Sequence, residues 1–348
     1  MESKGRRNHS SVILSAALIV LALALSAAAR MIPGFADWYT VHVYPVWVGS
    51  LGRLCGMLPF SLAEMLCLAL PVLLIIDIIA NRCRLSCVFR HLLLTVSLLL
   101  FLYAANCGVN YYSRPFTDRD AVRSAEFTVD ELADFCEYIS DRLGESDFDG
   151  YPDRSELAGL AREAMIGLSA DYPQLASHYP QPKQLTFLSR LFSNMGVSGI
   201  YSPFTIEANI NGEMPGMEKP FSACHELSHL CGYMNEGEAN YIGWLACIGS
   251  DDPAFTRSGW LIAWSYAGSE LRRVSHTRYS SIYRTLPDDA VRELTHNHIF
   301  WSTHETKASE IQNRVNNAYL RSNGVDDGIR SYSQLTTLML LWYQDQSS

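Results

Sequence analysis

The run Pro220-Phe221-Ser222-Ala223-Cys224-His225-Glu226-Leu227-Ser228-His229-Leu230-Cys231-Gly232 reads as a single helix with its stop attached. Residues four apart lie on one face of a helix, so His225 and His229 can both reach one ion. Glu226 follows by one position, beside that ion but off the line of ligands. A general base for a metal-activated water has to stand there. Gly232 tolerates the left-handed backbone that closes a helix. The competing account is two surface histidines next to a solvated glutamate.

Downstream, Asn235-Glu236-Gly237-Glu238-Ala239-Asn240 opens a second helix that runs to about Ile248, ahead of Gly249. A catalytic zinc site needs a third protein ligand and keeps its fourth position for water. Glu236 and Glu238 compete for that place. Asn240 shares a face with Glu236 and could orient a ligand histidine from behind, whereas Glu238 points about 200° away. Glu236 is therefore the preferred ligand and Glu238 the alternative. A closed, non-catalytic site would instead draw a fourth ligand from Cys224 or Cys231, neither of which shares the ligand face.

Upstream, Ile206, Ala208 and Ile210 alternate with Glu207, Asn209 and Asn211, which predicts a half-buried strand ended by Gly212 and Pro215. An extended peptide can add to the open edge of such a strand. Further back, Thr128 and Glu131 have capping-box spacing, and Leu132, Phe135, Ile139 and Leu143 line one helix face up to Gly144. A helix over residues 155–168 follows, with Pro173 beyond it. Both read as scaffold.

The first third of the chain is of another kind. Residues 12–29 and 92–109 are uncharged runs of spanning length, and residues 59–80 are strongly apolar with Glu64 and Asp77 near the ends. Lys4, Arg6 and Arg7 precede the first span, and Arg82, Arg84 and Arg90 occupy the short connection between the other two. That bias puts both basic segments in the cytoplasm. The segment 30–58, with Trp38, Tyr39, Tyr44 and Trp47, and everything after about residue 110 then lie outside. Ser26-Ala27-Ala28-Ala29 also resembles a signal-peptide cleavage site, which leaves the large domain on the same side. The net charge of -9 excludes nucleic acid as the main partner. Nine cysteines, several in apolar runs, do not form a disulfide framework, and Cys83 with Cys87 lacks the second pair a metal site needs.

His225-Glu226-Leu227-Ser228-His229 followed by Glu236-Gly237-Glu238-Ala239-Asn240 resembles the gluzincin pattern H-E-x-x-H with a later E-x-x-A-[ND], in which the first glutamate of the second motif binds zinc. Only six residues separate His229 from Glu236, fewer than gluzincins usually have. The Gly232 turn resembles that of metzincins, which place a histidine where this chain has Asn235. The wider run from Gly199-Ile200-Tyr201-Ser202-Pro203-Phe204-Thr205 to Ser250-Asp251-Asp252-Pro253 is similar to a bacterial membrane family, domain of unknown function 3810. The similarity extends to Tyr319-Leu320-Arg321-Ser322-Asn323-Gly324 and Ser331-Tyr332. It implies a three-span protein with an external zincin-like domain.

The expectation is an α+β, mainly helical chain: a membrane region over 1–110, then a zincin-like domain with a small sheet over 111–348. Zn2+ on His225, His229 and Glu236, with Glu226 as general base, would hydrolyse peptide bonds of a peptide or protein substrate at the cell membrane. The alternatives are a non-catalytic zinc sensor or structural protein, and a plain membrane-anchored binding module. Tyr332, His276 and Tyr279 are candidates for stabilising an oxyanion, with His296, His298 and His304 behind them. Trp244, Trp260 and Trp264 read as core, and Asp251-Asp252-Pro253 as a turn and helix start.

Overall fold

The computed structural model describes residues 2–81, 84–145, 147–323 and 334–347. Cys83, Arg82, Gly324, Ser331 and Tyr332 lie outside the described residues. The protein is mainly helical with one three-stranded sheet, and it divides into two units, Met1–Arg114 with Ser202–Glu207, and Pro115–Tyr201 with Ala208–Ser348.

In the first unit α1 (Glu2–Met31), α2 (Leu62–Ala80) and α3 (Leu85–Tyr103) supply three stretches long and apolar enough to cross a membrane, over Ser10–Met31, Leu62–Ala80 and Leu85–Tyr112. Their outward surface is made of Val20, Leu23, Val72, Ile75, Ile79 and Leu98, a composition that suits hydrocarbon and not water. All backbone bonds within a helix are internal, so such a surface can enter lipid without orphaned polar groups. Residues 30–58 are not an open loop: they form a helix over Phe35–His42 and successive helical turns between Tyr44 and Gly56.

The second unit opens with α4 (Val129–Gly144), held by the Thr128–Glu131 capping box, and α5 (Arg154–Asp171), capped by Asp153. The strands β1 (Lys183–Gln184), β2 (Gly199–Ser202) and β3 (Glu207–Ile210) follow, in the order β1-β3-β2, with β1 parallel to β3. Here the alternation of residues 206–211 misled. It marks β3, the central strand, and all four residues of that strand are buried because Glu207 and Asn209 find polar partners inside the fold. The outer edge beyond β3 belongs to β2.

α6 (Lys219–Leu230), α7 (Glu236–Ile248) and α8 (Pro253–Val274) form the centre of the unit. Asn235 and Asp252 cap α7 and α8 through their side chains, and Gly232 takes φ 97° after α6. Gly243 lets α7 lie directly on α6, since a Cβ there would stand 2.9 Å from the His225 nitrogen. Trp244 of α7 meets Trp260 of α8 edge-on at 6.0 Å and Trp342 of α11 (Gln334–Ser347) at 5.1 Å; α9 (Asp288–His304) and α10 (Lys307–Ser322) come between α8 and α11 in the chain. Arg257, 1% exposed, is satisfied by Asp289 at 2.5 Å and Glu293 at 2.7 Å, which fastens α8 to α9.

Candidate metal centre

α6 carries His225 and His229 on one face, and their rings stand edge-on with centroids 4.9 Å apart. The turn after Gly232 returns the chain so that Glu236, at the first turn of α7, faces them. One donor atom from each of His225, His229 and Glu236 lies within 4.8 Å of the others, with His225 Nε2 and Glu236 Oε2 3.3 Å apart. Ligands about 2.1 Å from a tetrahedral zinc stand about 3.4 Å from one another, so this donor set fits the ion with little movement. Glu238, the competing carboxylate, is buried on α7 and takes no part in the cluster.

The groups behind the donors set their state. His229 Nδ1 faces the Tyr233 carbonyl at 2.7 Å, so it carries the proton and leaves Nε2 as the donor atom. Burial pushes His229 down to about 4 against the opposing charge of Glu236, so its ring is neutral at pH 7. His225 behaves differently. Burial disfavours its charge, but Glu236, Glu226 and Asn240 outweigh that and raise its pKa. Asn240 thus acts on the ring from one helical turn beyond Glu236.

Glu226 is 3% exposed. Burial pushes its carboxyl up to about 8; the His225 ring opposes this, Glu236 adds to it, and the Tyr201 backbone N–H, which donates to Glu226, opposes it. Its Oε2 makes no hydrogen bond to any described residue. β2 runs so close that a Cβ on Gly199 would stand 2.4 Å from Glu226 Oε1. Ser198 accepts from Asn211 on the β3 side, so by the two-residue period of a strand Gly199 and Tyr201 turn their backbone groups to the outer edge, where Glu226 is.

The other candidates are elsewhere. His276 is exposed beside Ser280, and Tyr279 packs at a tilt against Trp264 and Tyr283. His296 and His298 are exposed on α9; His304 is held by the Phe300 carbonyl and by Arg190. Cys231 is turned to the Tyr179 hydroxyl, 2.8 Å away. β2, through Gly199 and Tyr201, is a contributor that the motif spacing does not announce. Tyr266 of α8 is near enough to Glu236 to feel its charge. Burial pushes the Tyr266 phenol up to about 12, with further lift from the charges of Glu218 and Glu236, so it remains a neutral donor. Tyr266 also lines a cavity of about 840 Å³ with Leu132, Glu270 and Arg273.

Three apolar helices of spanning length and a mainly helical unit holding a His/His/Glu cluster able to bind a metal define the class of protein. Residues 39–340 match the family described as "Protein of unknown function (DUF3810)", and the chain belongs to that family. No curated protein and no solved structure matches it.

Proposed function

We propose that this protein is a membrane-anchored, zinc-dependent peptidase of zincin type, with its site outside the cytoplasm. The observation that carries the reading is the convergence of three metal donors beside a buried glutamate that has one carboxylate oxygen held and the other without a hydrogen bond to any described residue. The donor set contains three groups among the described residues, the number a catalytic zinc takes from its protein.

A zinc on these donors would polarise the scissile carbonyl and lower the pKa of the attacking water. Glu226 Oε2 accepts the proton from that water and passes it to the leaving amine, while the Tyr201 N–H keeps Oε1 in place. A dication next to Glu226 favours its carboxylate form over the protonated form that burial alone prefers. The outer edge of β2 brings Gly199 beside Glu226, which suits an extended peptide laid along that edge. Tyr266 is the candidate donor to the developing oxyanion.

The test uses the full chain purified in detergent. About one zinc per chain is expected, lost in His225→Ala and Glu236→Ala. Glu226→Gln should keep the zinc and lose peptide hydrolysis by about a thousandfold or more. A folded wild-type protein without zinc, or full hydrolysis by Glu226→Gln, would overturn the reading.

A further inference from the structure

Glu218 immediately precedes α6, two turns ahead of His225, and the metal centre does not use it. Seven residues are close to two full helical turns, so Glu218 lies on the face that carries His225 and His229, about 10 Å along the axis from His225. Its backbone is fixed from α8. Ser258, fully buried, donates to the Met217 carbonyl and accepts from the Phe221 N–H at 3.3 Å, which pins the turn on either side of Glu218. Its side chain is fixed from α9, where Asn297 Nδ2 at 2.6 Å and Trp301 Nε1 at 2.8 Å both donate to Oε1. These two residues are four apart and share one face of α9.

The second oxygen is different. Oε2 takes no hydrogen bond from any described residue, and the side chain is half-buried, so that oxygen stays open to a ligand. Both donors to Oε1 are neutral, and no cation among the described residues pairs with Glu218. Asp289 and Glu293, on the same helix α9, are by contrast neutralised by Arg257. Taking a carboxylate out of water without a cation is costly; burial raises the pKa of Glu218, while the bonds from Asn297 and Trp301 lower it. A merely structural link between α6 and α9 would be served as well by an amide, with no charge to bury. A carboxylate held by one oxygen and open at the other suits an ammonium group, which brings the missing charge and three N–H donors. The Tyr266 phenol feels the charge of Glu218 first and that of Glu236 next, so it lies within reach of both carboxylates.

We propose that Glu218 is a specificity-determining residue, which binds an ammonium group of a peptide held at the metal centre. That ammonium belongs either to a free amino terminus or to a lysine-like side chain, whose chemistry is the same. An extended chain advances about 3.3 Å per residue, so the ammonium lies within about three residues of the metal. The peptide's place at the metal rests on the peptidase reading. Binding of the ammonium by Glu218 needs no turnover.

The test is fluorescence anisotropy on the full chain in detergent, all in a Glu226→Gln background so that no probe is cleaved. The probes are alanine peptides with a fluorophore at the carboxyl end: one with a free amino terminus, one acetylated, and acetylated ones carrying a single lysine at each position in turn. With Glu218 in place, the free-amine probe or one lysine probe should bind about ten- to a hundredfold more tightly than the acetylated alanine probe. Glu218→Gln keeps an acceptor for Asn297 and Trp301, so it should melt like its parent and bind all probes alike. Trp301→Phe keeps the charge but loosens it, and should lose about threefold of the preference. A free-amine preference supports the proposal with the amino terminus as ligand, and a lysine preference supports it with a side chain. No preference with Glu218 in place, or one that survives in folded Glu218→Gln, overturns it. If Glu218→Gln does not fold, Trp301→Phe decides, and an unchanged preference there overturns the proposal. A preference lost in Glu218→Gln, in a protein that with Glu226 intact hydrolyses no peptide, supports the ammonium site and overturns only the reading of function.

Discussion

At the scale of single residues, burial and neighbouring charge together set the protonation of the candidate site. The Glu226 carboxyl stands at about 8, above its ordinary value, and His225 is also raised. Between about pH 6.5 and 8 the metal-free folded chain therefore holds protons that the unfolded chain has released, so its stability falls as pH rises. His229, lowered to about 4, is neutral in the folded chain throughout this window and opposes the slope only near pH 6.5, where the unfolded ring still binds part of a proton. Zinc competes with the same protons, so with the ion present stability should instead rise with pH. Melting temperatures measured from pH 6.5 to 8, with chelator and with zinc, should slope in opposite directions, and Glu226→Gln should flatten the chelator series. Tyr266→Phe tests the phenol proposed as the oxyanion donor. It should leave zinc content intact and lower kcat by about ten- to a hundredfold; a variant with wild-type kcat would remove the phenol from the mechanism.

At the scale of elements, two glycines decide whether the parts meet. Gly243 allows α7 to touch α6 at the His225 backbone, and a methyl group there would meet main chain that has nowhere to move. Gly243→Ala should cost about 1–3 kcal/mol of stability and weaken zinc binding, read by denaturant unfolding and zinc titration. Gly199 has the complementary role. Its Cβ would meet Glu226 Oε1 at 2.4 Å and the Asn209 carbonyl at 2.9 Å, so Gly199→Ala should retain zinc and lose hydrolysis. Unchanged turnover in Gly199→Ala would show that β2 does not position Glu226. The contrast separates the elements that build the donor cluster from the one that holds the base.

At the scale of the whole molecule, three apolar helices predict that the chain stays in the membrane fraction through alkaline carbonate extraction. The basic residues ahead of the first apolar span and around the connection between α2 and α3 predict which side carries residues 115–348. A protease that cannot cross the membrane, added outside intact cells, should digest that part and spare the segment between α2 and α3. The reverse pattern would place the proposed site in the cytoplasm.

The sequence by itself was enough for whatever depends on local spacing. The four-residue interval of His225 and His229, the capping box at Thr128, the caps at Asn235 and Asp252, the left-handed Gly232 and the three apolar runs all follow from helix periodicity, end chemistry and length. The choice of Glu236 over Glu238 was half legible, because helix phase separates the two carboxylates but cannot say which faces α6. Tertiary structure decided the rest. The alternation at 206–211 could not distinguish a central strand from an edge strand, since burial on the second face comes from residues remote in sequence. The approach of Gly199 to Glu226 and the Glu207 cap on α2 are likewise contacts between residues remote in sequence. Sequence spacing encodes which residues share a face; only the packed chain brings two faces together.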